Sequence, residues 1–150
     1  MLKSNFMIYL IIIFVSQTSL VISGENFLAL KKNKVNVRYG PSFDSPVKYI
    51  YKKINLPIKQ IDKKENFRRI VDHKKNSGWI HVSQLKKVNS VITLSDKIMF
   101  KKSSIFSKPT AKIKKGRLLI IQNCEDDWCR VSTEKIKGWV DADNLWGIIN

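Results

Sequence analysis

Cysteine and histidine are scarce in this chain, with two of each among 150 residues: Cys124, Cys129, His73 and His81. A four-ligand structural zinc site would need all four in one place. Six glycines and four prolines are too few for a collagen-like chain, and the composition is not that of a coiled coil. Acidic side chains number 12 against 28 Lys and Arg. They are scattered, and Glu125-Asp126-Asp127 reads as a turn, not as a spaced acid/base pair. Neither histidine has a sequence-evident nucleophile partner, because His73 lies in a Lys-rich loop and Asp141 replaces His81 in the repeat described below. A catalytic reading has little to stand on.

What the chain has in abundance is Lys, Ile and Asn, at 23, 20 and 11 residues. That skew looks like an A/T-rich coding sequence, so part of the net charge of +16 is compositional. The excess still creates a positive field that attracts polyanions of any kind. With 43% hydrophobic and 10% aromatic residues the chain can bury a core, which excludes a disordered tail. The length allows one ordinary domain or two modules of about 55–65 residues, and no large multi-domain enzyme.

Residues 1–24 read as a secretory signal peptide. Lys3 supplies the positive region, residues 6–15 carry no charged side chain and form the apolar run, and Ser16-Gln17-Thr18-Ser19 ends it. Cleavage is expected after Ser23 or Gly24. A membrane anchor would need about 20 apolar residues, twice the uninterrupted run, so no stable membrane span is expected after cleavage. The exported form is then periplasmic or secreted. Export and the small number of arginines, 5 of 28 cations, argue against nucleic acid as a partner.

Beyond the signal, short β-branched and aromatic runs recur between Gly, Pro, Asn, Asp and Ser clusters, which is an all-β pattern. The expected strands are 27–31, 35–38, 57–62, 67–72, 78–81, 91–94, 97–100, 117–123, 128–132 and 138–141. The chain is also self-similar. Asn66-Phe67-Arg68-Arg69-Ile70-Val71 aligns with Asp127-Trp128-Cys129-Arg130-Val131-Ser132 at an offset of 61, and Gly78-Trp79-Ile80-His81 aligns with Gly138-Trp139-Val140-Asp141 at an offset of 60. The change of offset predicts one residue fewer in a hairpin loop of the second copy. Further upstream, Pro46 and Ile50 match Pro109 and Ile113. Two small β modules, 25–88 and 89–150, are therefore expected, joined by a polar stretch near 86–90.

The run Val35-Asn36-Val37-Arg38-Tyr39-Gly40-Pro41-Ser42, followed after a loop by an aromatic strand and Gly78-Trp79-Ile80, resembles the bacterial SH3 (SH3b) domain, whose hallmark is N-V-R-x-G-P-S with a later G-W-[IV]. The second repeat keeps only the back half. Ile98-Met99-Phe100-Lys101-Lys102-Ser103-Ser104 stands where the signature belongs, without Arg, Gly or Pro. As a whole the chain is similar to small exported tandem SH3 proteins of α-proteobacteria. The resemblance implies a five-stranded, partly open β-barrel in each half. It also implies binding of cell-wall peptide or glycan, with no catalysis by the domain and no cofactor.

Gly40 and Pro41 suit a turn, and Gly78, Trp79, Gly138 and Trp139 suit core or rim packing, so all six are given structural roles. Arg38 is expected either exposed in a groove or paired with a carboxylate such as Asp44. Tyr39, Phe43 and Tyr51, in or beside the long loop, are the groove aromatics, and Lys52 and Lys53 join Arg38 as its cations. The ligand is a cell-wall glycan or peptide, or alternatively an exported protein held at a sheet edge or inter-repeat cleft.

The two cysteines are expected to form a disulfide. If Asp126-Asp127 is a two-residue turn, Glu125 and Trp128 flank it and Cys124 and Cys129 are the next pair outward, on one face of the hairpin. An exported protein meets oxidising conditions that favour the bridge.

Overall fold

The computed structural model describes residues 26–148, so the expected signal peptide lies outside the described residues. Fourteen short strands form two seven-stranded antiparallel sheets of the same topology. In the first, β1 (Phe27–Leu30), β2 (Val35–Arg38), β3 (Val47–Tyr51), β4 (Pro57–Lys64), β5 (Phe67–Val71), β6 (Ser77–His81) and β7 (Leu85–Lys87) lie in the order β3-β2-β6-β5-β4-β1-β7. The second repeats that order with β8 (Ser90–Thr93), β9 (Lys97–Phe100), β10 (Pro109–Ile113), β11 (Leu118–Glu125), β12 (Trp128–Ser132), β13 (Lys137–Asp141) and β14 (Leu145–Trp146). The sheets curl into SH3-like modules whose outer strands, β3 and β7 or β10 and β14, do not pair with each other.

Seven strands per module stand where five were expected. The two additions in the first repeat are β3, in the stretch read as a long loop, and β7, which follows a single 3-10 turn (Val82–Gln84). β3 is hard to see because its residues are exposed or half-buried throughout, with no apolar face turned fully inward.

The internal symmetry is structural. Both long hairpins turn on two residues, Glu65-Asn66 and Asp126-Asp127, and both place the first in the left-handed region, Glu65 at φ 48° and Asp126 at φ 51°. Each hairpin slips register at the matching place, between Gln60 and Asp62 and between Ile121 and Asn123. The loop between β5 and β6 has five residues, 72–76, and that between β12 and β13 has four, 133–136, which is the deletion the changed offset predicts. Cys124 faces Cys129 across the second hairpin, and the two form a disulfide with Cα atoms 4.0 Å apart.

Each module has its own apolar core. Leu30, Val35, Val37, Leu56, Ile58, Ile70 and Ile80 fill the first; Val91, Met99, Leu119, Cys129, Val131 and Val140 are central in the second. The glycine of each Gly-Trp pair lets two strands approach closely. A Cβ on Gly78 would overlap Val37 Cγ1, and one on Gly138 would sit 2.6 Å from Met99 Cγ. The modules also share material. Ile92, from β8, is buried in the first core, and Leu118 and Trp146 pack against that core. The Trp146 indole donates to the Pro57 carbonyl at 3.1 Å and stands edge-on to Phe27 at 5.1 Å. Lys75 lies 5.8 Å from the centre of the same indole ring.

Candidate functional site

The residues of the Arg-Tyr-Gly-Pro run form a loop closed by main-chain bonds from Tyr39 to Pro46 and from Ser45 to Ser42, by Ser42 Oγ on the Asp44 amide, and by the Arg38 side chain. Arg38, last in β2, turns its guanidinium into the loop and donates to the carbonyls of Ser45 at 2.7 Å and Phe43 at 3.1 Å. These acceptors are backbone carbonyls, so the expected pairing with Asp44 is replaced by a clamp on the chain itself. Both bonds come from one nitrogen, Nη1, whose two N–H groups diverge in the guanidinium plane. The guanidinium also lies 5.7 Å from the centre of the Phe43 ring.

Phe43 is thereby laid down on the module. Its ring sits 5.2 Å from Phe67, edge-on, and 4.8 Å from His81, while 61% of the residue stays exposed. Tyr39 is 65% exposed, with Lys48 Nζ 5.6 Å from its ring centre. Lys48 in turn donates to the Ser77 carbonyl at 2.9 Å, which ties the loop side of β3 to β6. Arg38, Tyr39, Lys48, Arg69, Ser77, Gly78 and Trp79 line a shallow depression of about 200 Å³. Three cations and two aromatic rings thus converge around a concave patch. Arg69 and Trp79 were not among the expected groove residues, although their register pairing across β5 and β6 follows from the hairpin.

Trp79 is half-buried beside the fully buried Ile80, so the Trp face of β6 is the rim and the Ile face the core. His81 is on the Trp face. Its Nδ1 lies 2.8 Å from Ser83 Oγ and accepts from the Ser83 amide at 3.3 Å, which caps the 3-10 turn. The sequence showed no Ser/His partnership here. The structure brings one together as a cap, and among the described residues no carboxylate contacts the imidazole.

Tyr51, Lys52 and Lys53 lie elsewhere. Tyr51 pairs with Val35, at the opposite end of β2 from Arg38, and packs against the first core. Its hydroxyl donates to Asp72 Oδ2 at 2.9 Å and lies 3.3 Å from Tyr49 Oη. Burial first, and then Tyr49 and Asp72, push the Tyr51 phenol well above its ordinary value. Asp72 is buried and accepts from the amides of Lys74 and Asn76 and from Asn76 Nδ2 as well. Burial alone would raise this carboxyl, but the hydrogen bonds outweigh it and hold Asp72 below the usual carboxylate range. Next to it, burial lowers His73, with Lys74 and Lys53 adding to the effect against Asp72. Lys52 and Lys53 instead line a groove of about 440 Å³ with Arg117, Leu118 and Glu134 from the second repeat.

A groove of about 860 Å³ also lies between the repeats. Phe27, Val88, Ile121, the Cys124–Cys129 disulfide, Ala142 and Ile148 give it an apolar lining, and Asp126, Asp127 and Asp143, against the one cation Lys87, give it a net acidic one. Among the described residues no cluster of three or more His, Cys, Asp or Glu is placed to hold a metal ion. No helix among them is long and apolar enough to cross a membrane.

Comparison with known proteins bears on these modules directly. Among the solved structures that align with the chain are NlpC2 of Trichomonas vaginalis, at 12% identity and a TM-score of 0.37, covering 81% of this chain and 47% of that one, and NlpC1 of the same organism, also at 12% and 0.37, covering 81% and 45%. The chain therefore spans about half the length of either. No curated protein matches it. The family model described as "Bacterial SH3 domain" matches twice, over residues 31–87 and 99–147, so that the first match takes in β2 to β7 and the second runs from within β9 to β14: the chain belongs to the bacterial SH3 domain family and carries two copies of the domain.

Proposed function

We propose that the chain is a non-catalytic exported binding module of the cell envelope, in which a signal peptide (1–24) precedes two SH3b-like domains (25–88 and 89–150) and the first domain holds peptidoglycan or another anionic envelope component. The Arg38 clamp carries this reading. It fixes a loop so that Tyr39 remains exposed beside Lys48, Arg69 and Trp79, and Phe43 beside Arg38 and His81, giving flat apolar faces for sugar or peptide contact within reach of cations. Family membership supports it, since bacterial SH3 domains are typically binding modules found in exported proteins. Lys52 and Lys53, on a different groove, contribute to long-range capture only.

Retention on purified peptidoglycan tests the proposal. Screening shortens the Debye length from about 10 Å at 0.1 M salt to about 3 Å at 1 M, so long-range attraction fades while ring contacts persist. Y39A and R38A should weaken retention at both salts, and a Lys52 and Lys53 double neutralisation mainly at low salt. Retention unchanged by Y39A and R38A would remove the first-repeat loop from the reading.

A second reading, a periplasmic assembly factor, is favoured by the 860 Å³ groove. An apolar lining beside three aspartates suits a basic, partly apolar peptide of an exported protein. A stoichiometric protein partner that survives high salt and is lost on D126N/D127N would support it.

A further inference from the structure

The loop that lies folded down in the first repeat stands away from the second. Strands β2 and β9 correspond at an offset of 62, Arg38 pairing with Trp79 and Phe100 with Trp139, so Phe100 stands where Arg38 does, and Ile105 and Phe106 stand where Phe43 and Asp44 do. Phe100 has no donor to replace the Arg38 Nη1 that holds two carbonyls at once. The partners beneath Phe43 change too: Trp128 stands for Phe67 and Asp141 for His81, and the Trp128 ring packs on Phe100 at 5.7 Å. Without a guanidinium, the second loop keeps only bonds within the loop, of the kind the first loop also makes from the Tyr39 amide to the Pro46 carbonyl and from the Asp44 amide to Ser42 Oγ. The Lys101 amide donates to the Lys108 carbonyl at 2.9 Å, the Lys102 amide to Ser107 Oγ at 2.9 Å, and the Phe106 amide to Ser104 Oγ at 3.2 Å.

The apolar side chains of this second loop lie outside. Phe106 is 93% exposed and its neighbour Ile105 67%, the two highest values among the large hydrophobic residues described. Phe106 makes no ring or cation contact with the module, unlike Phe43. Lys101, Lys102 and Lys108 flank the pair, all exposed, and no Asp or Glu occurs between residues 97 and 112. Adjacent, fully offered apolar side chains mark an interaction surface. A collar of lysines gives that surface an anionic partner.

We propose that residues 101–108 dock the protein on an anionic lipid bilayer, Ile105 and Phe106 entering the boundary between headgroups and acyl chains while Lys101, Lys102 and Lys108 pair with headgroup phosphates. A bilayer fits better than a rigid glycan, because side chains presented this far from the module need a phase that yields to them. Their charged collar then stays at the wet interface. This site is separate from the Arg38 loop in position, ligand and test.

The full chain is mixed with vesicles of phosphatidylcholine alone or of equimolar phosphatidylcholine and phosphatidylglycerol, and sedimented. Nuclear magnetic resonance of the Ile105 methyl groups in the presence of vesicles doped with acyl-chain spin label reads the loop itself, whatever attachment other segments make. Selective broadening of Ile105 on the anionic vesicles is expected. F106S should lower partition about tenfold, and K101Q, K102Q and K108Q about fivefold each at low salt. All four substituted side chains are exposed, so retained strand-type circular dichroism is expected in every variant. Ile105 signals unaffected by spin-labelled anionic vesicles, or equal partition by F106S, would overturn the proposal. So would the same Ile105 perturbation by lipid-free peptidoglycan or by a stoichiometric protein partner.

Discussion

Replacing Gly78 by alanine adds one methyl group at the narrowest point of the first module, where β2 meets β6 at the single register pair of Arg38 and Trp79. The new Cβ would overlap Val37 Cγ1 and approach the Arg38 carbonyl to 3.0 Å. Gly78 is not in the left-handed region, so alanine accepts the backbone and the cost is steric alone. Val37 is fully buried and β-branched, and cannot swing aside without displacing the core. Overpacking of this kind costs about 1–3 kcal/mol. In a module of this size that lowers Tm by roughly 5–15 °C. The relief should be specific. V37A deletes the methyl groups that the added Cβ strikes, so G78A/V37A should lose less than the sum of the two single changes, by about 1 kcal/mol, leaving only the tight approach to the Arg38 carbonyl. Thermal unfolding followed by circular dichroism on all four proteins completes the cycle. Strict additivity, or a G78A protein that melts with the wild type, would refute the close-packing argument. Because the clash lies beneath Arg38, G78A should also weaken peptidoglycan retention more than G116A does. Gly116 has open space around it, although its φ of 81° makes alanine costly there for a different reason.

Reduction of the Cys124–Cys129 bridge should lower the stability of the second repeat by about 2 kcal/mol, the chain-entropy value for so short a ring, as read by urea unfolding with and without reductant. Mass spectrometry of the alkylated, non-reduced protein should find no free thiol. The Asp72 carboxyl sits below its unfolded value, so its contribution is complete above that value and is lost as pH falls through the folded one. D72N should flatten the acid limb of the stability-versus-pH curve, and a limb identical to wild type would rule out Asp72 as its source. D72A strands the Tyr51 hydroxyl and the donors of Lys74 and Asn76, and should cost on the order of 3 kcal/mol in chemical denaturation. W146A, although placed in the second repeat, should destabilise the first by about 2 kcal/mol or more, because it removes an indole packed on that core and its bond to Pro57. Residues 25–88 expressed apart should therefore melt below the same residues in the full chain.

Repetition makes most of the architecture readable in the sequence. The Gly-Trp strands, the paired aromatic strands and the one-residue deletion between them locate β5, β6, β12 and β13, and a two-residue turn at Asp126-Asp127 was enough to pair Cys124 with Cys129. Strands β3 and β10 were illegible for a physical reason: an outermost strand that buries no residue, or only its last, Ile113, has no alternation to show. Part of the candidate site was legible as residue types, since Arg38, Tyr39 and Phe43 do share one loop. Its organisation was not, because Arg38 bonds to main-chain carbonyls, which carry no side-chain signature. Tyr51 was grouped with them by nearness in sequence, whereas a strand places it at the far end of β2 and gives it to Asp72, 21 residues away.

The indole of Trp146 has a consequence for how the protein is made. A chain emerges from the ribosome N-terminus first, at about 5–20 residues per second. The first core is complete only when Ile92 and Trp146 have arrived, and the Trp146 bond reaches back 89 residues to Pro57. Through most of synthesis, and through any passage across a membrane in that direction, the first domain is held short of its final packing by the absence of its last wall. A waiting domain of this kind stays pliable until the whole chain is out, and closes when it is.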